Sequence, residues 1–598
     1  MNYRLSIIFS FSILFLASTN VQAAEKVTKP IFSKVTVPTT SNMFQGNHAF
    51  ADLNADGKMD LLVKGRNLDN GWNPEAFALL NAGQEFTSKL TFDLVKGWHK
   101  VITPIDYNND GYPDVLLSAS YGADLYRNEG GKKLVKVNNF SIEDLELDND
   151  DNKETRYAGL VSIADFDADG WQDIVTFDKS GNPVLYLNNK GTGSFMKKDN
   201  AGLAQQRNGT LASADFNNDG YIDLAVSGWS DVAGGTYLSV YKNNGDGTFT
   251  DIKADTSVGG SIAGTEKGQI MWVDANADGQ MDLFITGSAS LYSWASKALL
   301  YLNNGNGTFT KHTTDFIGVK KSGTAWCDVN GDGTTDILYA GEIQGGKAVT
   351  FVALGKKDGS FEVHDNLMSG VRSGAAVSLF DYNANGMPDA VCMGWGDGDK
   401  FAIYTGIVLK GLNTRPTAPT GLQMQNEAGG VVLTWNAATD KETPVAALRY
   451  NVFVKLKNGK TYTLTPANIN IGTLLIPDVN NTIATRSYRL KMAASDIDSW
   501  GVQTIDQGKS ASVFATSQTT GIETIGQDLN THITLTQNGF EAIVQENAEI
   551  CIFDMPGSLL ERQTVKSGTT YTYNLPKGIY VVRIKTINNS RTFKVMVR

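Results

Sequence analysis

Cysteine, histidine and proline are all scarce in this chain, and each scarcity excludes something. The three cysteines (Cys327, Cys392 and Cys551) are an odd number and cannot all pair, so no disulfide framework holds the fold. Cys327 and Cys392 lie in strand-like apolar stretches beside acidic phrases and read as small buried hydrophobes. There are five histidines and no HExxH, GxSxG or CxxC, so the familiar sequence signatures of catalysis are absent. Charged residues make up only 19%, and 14 prolines stand against 61 glycines. That balance suits short strands joined by tight turns better than helices or disorder. After the first two dozen residues no apolar run is long enough to span a membrane.

What is present begins with an export signal. Arg4 supplies a positive start, residues 5–17 an apolar run, and Val21-Gln22-Ala23 a small-residue cleavage site, so residues 1–23 read as a signal peptide. At 598 residues the chain exceeds what one core can organise, and several domains are expected.

The organising signal is an acidic phrase written seven times: DLNADGKMD at Asp52, DYNNDGYPD at Asp106, DFDADGWQD at Asp165, DFNNDGYID at Asp215, DANADGQMD at Asp274, DVNGDGTTD at Asp328 and DYNANGMPD at Asp381. Successive first aspartates are 54, 59, 50, 59, 54 and 53 residues apart. Strand-like runs flank each phrase, a third follows, and a Gly-rich turn leads to a fourth at Phe86, Leu134, Phe195, Phe249, Phe309 and Phe361. Four strands per period is one blade of a β-propeller. The seventh phrase lacks a fourth strand before Pro416, while IFSKVTV around Phe32 has the look of one. The N-terminal strand is therefore expected to complete the last blade and close the ring. The phrase resembles the loop of the FG-GAP or VCBS repeat found in integrin α-subunit propellers and many bacterial secreted proteins. The resemblance covers residues 30–412 and implies calcium in the turn between the first two strands of each blade. The expected fold is all-β: a seven-bladed β-propeller over residues 24–412, followed by two small β-sandwich domains.

Calcium takes six to eight hard oxygens, which a short loop supplies from alternate positions and one later carboxylate. The expected ligands are Asp52, Asn54, Asp56 and Asp60; Asp106, Asn108, Asp110 and Asp114; Asp165, Asp167, Asp169 and Asp173; Asp215, Asn217, Asp219 and Asp223; Asp274, Asn276, Asp278 and Asp282; Asp328, Asn330, Asp332 and Asp336; and Asp381, Asn383, Asn385 and Asp389. Gly57 permits the sharp turn of the first copy, the Lys58 carbonyl adds a ligand, and Val63 stands where an EF-hand has its glutamate. The alternative is a metal-free Asx-rich turn. Several carboxylates in one turn repel without a cation, which favours up to seven structural Ca²⁺ ions. The acidity of the chain (formal net charge −11) then marks metal sites, and no nucleic-acid partner is expected. The third site, with four aspartates, should bind tightest, and the seventh, with Asn385, weakest.

Propeller loops alternate between two faces. The face away from the acidic turns, the ligand face in integrins, collects the variable loops at 66–72, 229–231, 292–294, 342–344 and 395–399. Trp72, Trp229 and Trp395 on these loops are stacking candidates, with Arg66 beside them. A basic or imidazole residue also precedes every phrase: His48, His99 with Lys100, Arg156, Arg207, Lys267, Lys320 with Lys321, and Arg372. Pointing inward, these would form a positive collar for an acidic ligand.

After TRPTAPTGL, residues 416–517 resemble a fibronectin type III domain, with VVLTW at Trp435, RYNVFVK at Tyr450 and SYRLKMAASD at Tyr488 as its B, C and F strands. Residues 522–598 resemble the C-terminal sorting domain of type IX secretion in Bacteroidota, through ICIFDMPGSLL, LPKGIYVVRI and TFKVMVR. The expectation is a monomeric, secreted or cell-surface recognition protein for a glycan or an extracellular protein. The alternatives are a polysaccharide lyase, with His99 and Lys100 as its one candidate base pair, or a structural subunit of a surface complex.

Overall fold

The structure, a computed structural model, describes residues 31–597 apart from 36–41, 84, 92–98, 120–121, 141, 143–160, 179, 231–232, 253–254, 257–259, 290–294, 397, 408–411, 518–523, 526–530, 537–538, 545–546, 555–557, 568, 577 and 586–589. The signal segment, Arg156 and the 292–294 loop lie outside the described residues. The fold is all-β; helix among the described residues amounts to four single 3-10 turns.

Seven sheets are built on the seven acidic phrases, and they are numbered here as blades 1 to 7. Their innermost strands are Met43–Ala51, His99–Ile105, Val161–Ala164, Arg207–Ala214, Ile270–Val273, Lys320–Cys327 and Arg372–Phe380. Each touches the next, and the last touches the first, so the ring is closed. All six expected outer strands form, beginning at Phe86, Leu134, Phe195, Phe249, Phe309 and Phe361. The seventh is Ile31–Val35, paired antiparallel to Phe401–Ile407 with Ile31 opposite Ile407. Blade 5 adds the short strands Asp255–Thr256 and Gly260–Ser261.

The second strand of each blade reads as a nearly unbroken apolar run because blades stack face to face and bury both sides of it. Asp282–Ser288 is buried at every position. Apolar layers fill the gaps between blades: Leu62, Ile102 and Tyr126 between blades 1 and 2, and Phe216, Trp272 and Phe309 between blades 4 and 5. Each such side chain contributes about 1.5–3 kcal/mol on leaving water. The three cysteines are buried and unpaired. Burial pushes the Cys392 thiol up to about 12, so it stays protonated and inert.

Residues 420–516 form a two-sheet sandwich, of three strands (Thr420–Glu427, Gly430–Asn436, Ser487–Leu490) and four (Thr461–Thr463, Arg449–Leu456, Ile497–Ile505, Ala515–Thr516). One strand assignment is corrected. Tyr488 lies on the strand that pairs with Gly430–Asn436, whereas the partner of Arg449–Leu456, the F position, is Ile497–Ile505. The chain breaks after Leu490 into a turn, so the longer apolar run carrying Trp500 takes the central place. The last domain holds two four-stranded sheets over 524–597 around Phe540, Ile550, Ile552 and Val582.

The sandwich is seated on the propeller. Phe453, Leu474, Val479 and Phe514 share one apolar cluster with Phe50, Trp326 and Val391 of the blades. It lies over the acidic turns and touches, with its linker, all seven of them.

Candidate metal centres and the opposite rim

All seven acidic phrases share one backbone turn. The first aspartate accepts two backbone N–H bonds, from the fifth and sixth residues of its phrase. In blade 1, Asp52 Oδ1 accepts from Asp56 at 3.0 Å and Oδ2 from Gly57 at 2.7 Å. In blade 7, Asp381 accepts from Asn385 at 3.1 Å and Gly386 at 2.8 Å. The chain turns through left-handed backbone at the fourth and sixth positions, Ala55 (φ 56°) and Gly57 (φ 86°) in the first copy. The sixth is glycine every time.

The last aspartate of the phrase has a different setting. Asp60 Oδ2 accepts from Leu53 N at 2.9 Å, and its Oδ1 accepts from Asn81 N on the third strand at 2.8 Å. That asparagine is a recurrent residue that sequence reading missed. The Asn81 amide donates to Met59 O in its own blade and to Tyr382 O in the preceding one. Asn128, Asn188, Asn243 and Asn303 repeat the pattern onto Leu53, Tyr107, Phe166 and Phe216 of the preceding blades. Each staples neighbouring acidic turns together from a buried position. Blades 6 and 7 lack it and place Gly355 and Gly406 there.

Burial dominates the electrostatics. It lifts the carboxyls of Asp60, Asp106 and Asp274 to about 7 and of Asp52 to about 6, and it raises Asp173, Asp223, Asp282 and Asp336 well above the usual range. Neighbouring carboxylates of the same turn add to it. Asp165, Asp167 and Asp173 bring ligand atoms within 4.8 Å of one another. Asp114 Oδ2 is buried without a hydrogen-bond partner. An all-oxygen, multiply acidic set of this kind fits a hard divalent cation. In blade 7 the Asn383 amide donates to Asp389 Oδ1 at 3.2 Å, whereas Asn54, Asn108, Asn217 and Asn276 of the sister turns donate to the fifth residue of their phrase.

Each turn also meets the sandwich or its linker. Asp52 N donates to Leu475 O at 2.8 Å, Lys460 Nζ to Asn108 O at 3.2 Å, and Asp328 N to Gln507 O at 3.2 Å. The Trp171 and Tyr462 rings pack edge to face at 5.6 Å, Gly220 lies against Tyr488, and Asn413 N donates to Gly386 O. A methyl group on Gly279 would lie 2.4 Å from Ala446 O. Arg449, fully buried, donates Nε to Thr482 Oγ1 at 3.0 Å and supplies positive charge to both Asp215 and Asp274. Ile476 to Asn480 and Lys509 line the adjoining mouth of the central channel, a cavity of about 370 Å³.

A family model described as FG-GAP-like repeat matches residues 165–226, 274–339 and 328–392, and one described as secretion system C-terminal sorting domain matches 529–598. The matched segments, within blades 3 to 7, are FG-GAP-like repeats. No curated protein matches the chain. Among solved structures it is similar to a lectin of Agrocybe aegerita that recognises non-reducing terminal N-acetylglucosamine, at 22% identity over 53% of this chain and 80% of that one (TM-score 0.37). It is also similar to an ulvan lyase from a new family of polysaccharide lyases, at 12% identity over 63% and 95% (TM-score 0.34), and to BBS1N in complex with ARL6DN, at 13% over 63% and 97% (TM-score 0.36).

On the far rim five of the blades share a second device. The innermost strands of blades 1, 2, 4, 6 and 7 shift register at Phe44/Asn47, His99/Val101, Arg207/Thr210, Lys320/Gly323 and Arg372/Ala376. His99 with Lys100, Arg207, Lys320 with Lys321, and Arg372 therefore sit at β-bulges, which re-aim side chains. His99, Lys100 and Arg207 are described here by their backbone alone. Lys267 and Lys321 occupy left-handed backbone (φ 54° and 52°), as does Gln45 (φ 48°). Lys320, Lys321 and Arg372 converge on Glu342, at 3.6, 3.5 and 3.0 Å. Burial works to raise that carboxyl, and the three cations outweigh it and hold it below its ordinary value. His48 stands apart from the collar: it is buried, bonds Ser378 Oγ through Nε2 at 2.8 Å, and burial lowers its pKa to about 3.

Three of the expected ligand residues come together where blade 7 meets blade 1. Trp72 and Trp395 lie 6.1 Å apart, each against buried Phe44 at 5.3 and 5.2 Å. The Arg66 guanidinium lies 5.1 Å from the Trp72 ring. Trp229 sits at the matching register of blade 4, opposite Arg207.

Proposed function

We propose that this protein is an exported, calcium-stabilised recognition module that binds a glycan through the propeller rim opposite its acidic turns. The carrying observation is the division of labour between the two faces. The acidic turns are covered by the chain's own second domain, whereas the far rim carries bulged basic positions and a partly exposed tryptophan pair. A turn in contact with its own sandwich has no room for a macromolecular ligand. Calcium there neutralises buried carboxylates and fixes the turns on which the sandwich is seated.

The proposed ligands are the oxygens of the first, third, fifth and ninth residues of each phrase, with the third site strongest and the seventh weakest. Export follows from the C-terminal sorting domain, and the type IX route of Bacteroidota is the proposed path. A glycan array run with the mature protein in calcium and after chelation tests the reading, together with absorbance at 235 nm on polyuronates. Binding without new absorbance supports a recognition module. New absorbance makes the protein a lyase, and silence on both leaves a protein partner.

A further inference from the structure

We infer that the blade 7–blade 1 junction is a saccharide-binding platform for a pyranose unit bearing a carboxylate or sulfate. The inference rests on the glycan reading above and gives it a place and a charge. Trp72 is 45% exposed, a large apolar surface left in water. It also holds left-handed backbone (φ 70°), which bulky residues avoid. Exposure and strain in one residue both cost stability, and the surrounding loop is built to hold them.

Trp72 N donates to Asn67 O at 2.9 Å and its carbonyl accepts from Arg66 Nε at 3.2 Å. Asn67 Oδ1 caps the turn by accepting from Asp69 N at 2.9 Å. Asn70 and Asn67 both donate to Glu75, Asn73 donates to Asn70 O, and Asn42 donates to both oxygens of Asp69. Beneath, Phe44 is buried and fixes both indoles edge to face. The ring is thus presented in advance rather than ordered on binding, which lowers the entropic cost of association.

Charge indicates the class of sugar. Arg66 lies against Trp72 at 5.1 Å and Lys400 Nζ against Trp395 at 5.0 Å, so a cation flanks each ring. Among the described residues, the carboxylates of these two loops are engaged: Asp399 by Lys34 at 2.7 Å, Glu75 by two asparagines and Lys89, and Asp69 by Asn42. A sugar stacked on the indole would place an acidic substituent beside those cations.

The test is equilibrium binding, followed by tryptophan fluorescence, of the mature protein to trigalacturonate, a chondroitin sulfate hexasaccharide and neutral cellotriose. The expected order is an acidic probe over cellotriose. Trp72→Ala should weaken the acidic probe at least tenfold while circular dichroism and melting stay unchanged, and Trp72→Phe should retain most of the affinity. Lys400→Gln should erase the preference for the acidic probe without weakening cellotriose. Unchanged affinity in Trp72→Ala, where the parent binds, overturns the platform and leaves the glycan reading standing. No binding of any probe by the parent, with the glycan array also silent, overturns both.

Discussion

At the residue scale, the buried aspartates carry the clearest consequence. Burial lifts Asp60 and Asp106 from an ordinary 3.8 to about 7, so the folded, metal-free chain holds protons that the unfolded chain has already released. Stability without cation is therefore full below about pH 4 and falls as pH rises toward 7. On the proposed reading calcium would replace those protons and reverse the slope, because a cation is held by ionised carboxylates. Denaturant unfolding in metal-stripped buffer at pH 4.5 and 7.5, with and without calcium, should show the two slopes crossing. The asparagine staples make a second prediction. Asn243→Ala removes donors to two carbonyls in different blades and should cost about 1–3 kcal/mol, measured by the same unfolding. The aspartates were legible in the sequence because seven copies share one register. The asparagines were not, since they follow their aspartate partners at 21, 14, 15, 20 and 21 residues and declare nothing of the preceding blade.

At the element scale, the acidic turn has to serve two neighbours. Its glycine at the sixth position is set by left-handed backbone everywhere, but only some copies are also pressed by the sandwich. Gly111 (φ 83°) has open space where a side chain would point, while Gly279 (φ 86°) faces Ala446 O. Gly111→Ala should cost only the backbone strain, about 1–2 kcal/mol. Gly279→Ala should cost more and should loosen the sandwich, read as protease cleavage between residues 407 and 420 at lower enzyme concentration. Equal behaviour of the two variants would argue against tight docking. The strands themselves were readable from the period and the strand-like runs around each phrase, including the N-terminal strand that closes blade 7. The bulges were not, because a register shift leaves only a loosely placed basic residue as its trace. The same looseness made a continuous collar of residues that the structure separates, with His48 in the interior and three cations shared by Glu342.

At the scale of the whole molecule, the propeller has one face occupied by its own chain and one presented outward. The sandwich was readable as a domain, but its seat was not. Arg449 and Lys509 look like ordinary strand and turn cations in the sequence, and the burial of Arg449 and half-burial of Lys509 against the blades are tertiary facts. The arrangement gives the acidic phrases a further duty, since the turns proposed to hold the cations are also the surface on which the second domain rests. The measurement that tests this most directly is thermal unfolding of the mature protein, stripped of metal and then titrated with calcium, with bound calcium counted by elemental analysis. Several calcium ions per chain, up to seven, are expected, with a melting temperature that climbs steeply, since each site would contribute about 2.7 kcal/mol at a hundredfold excess over its Kd. A stripped protein that melts at the same temperature with and without calcium, and retains none, would contradict that expectation.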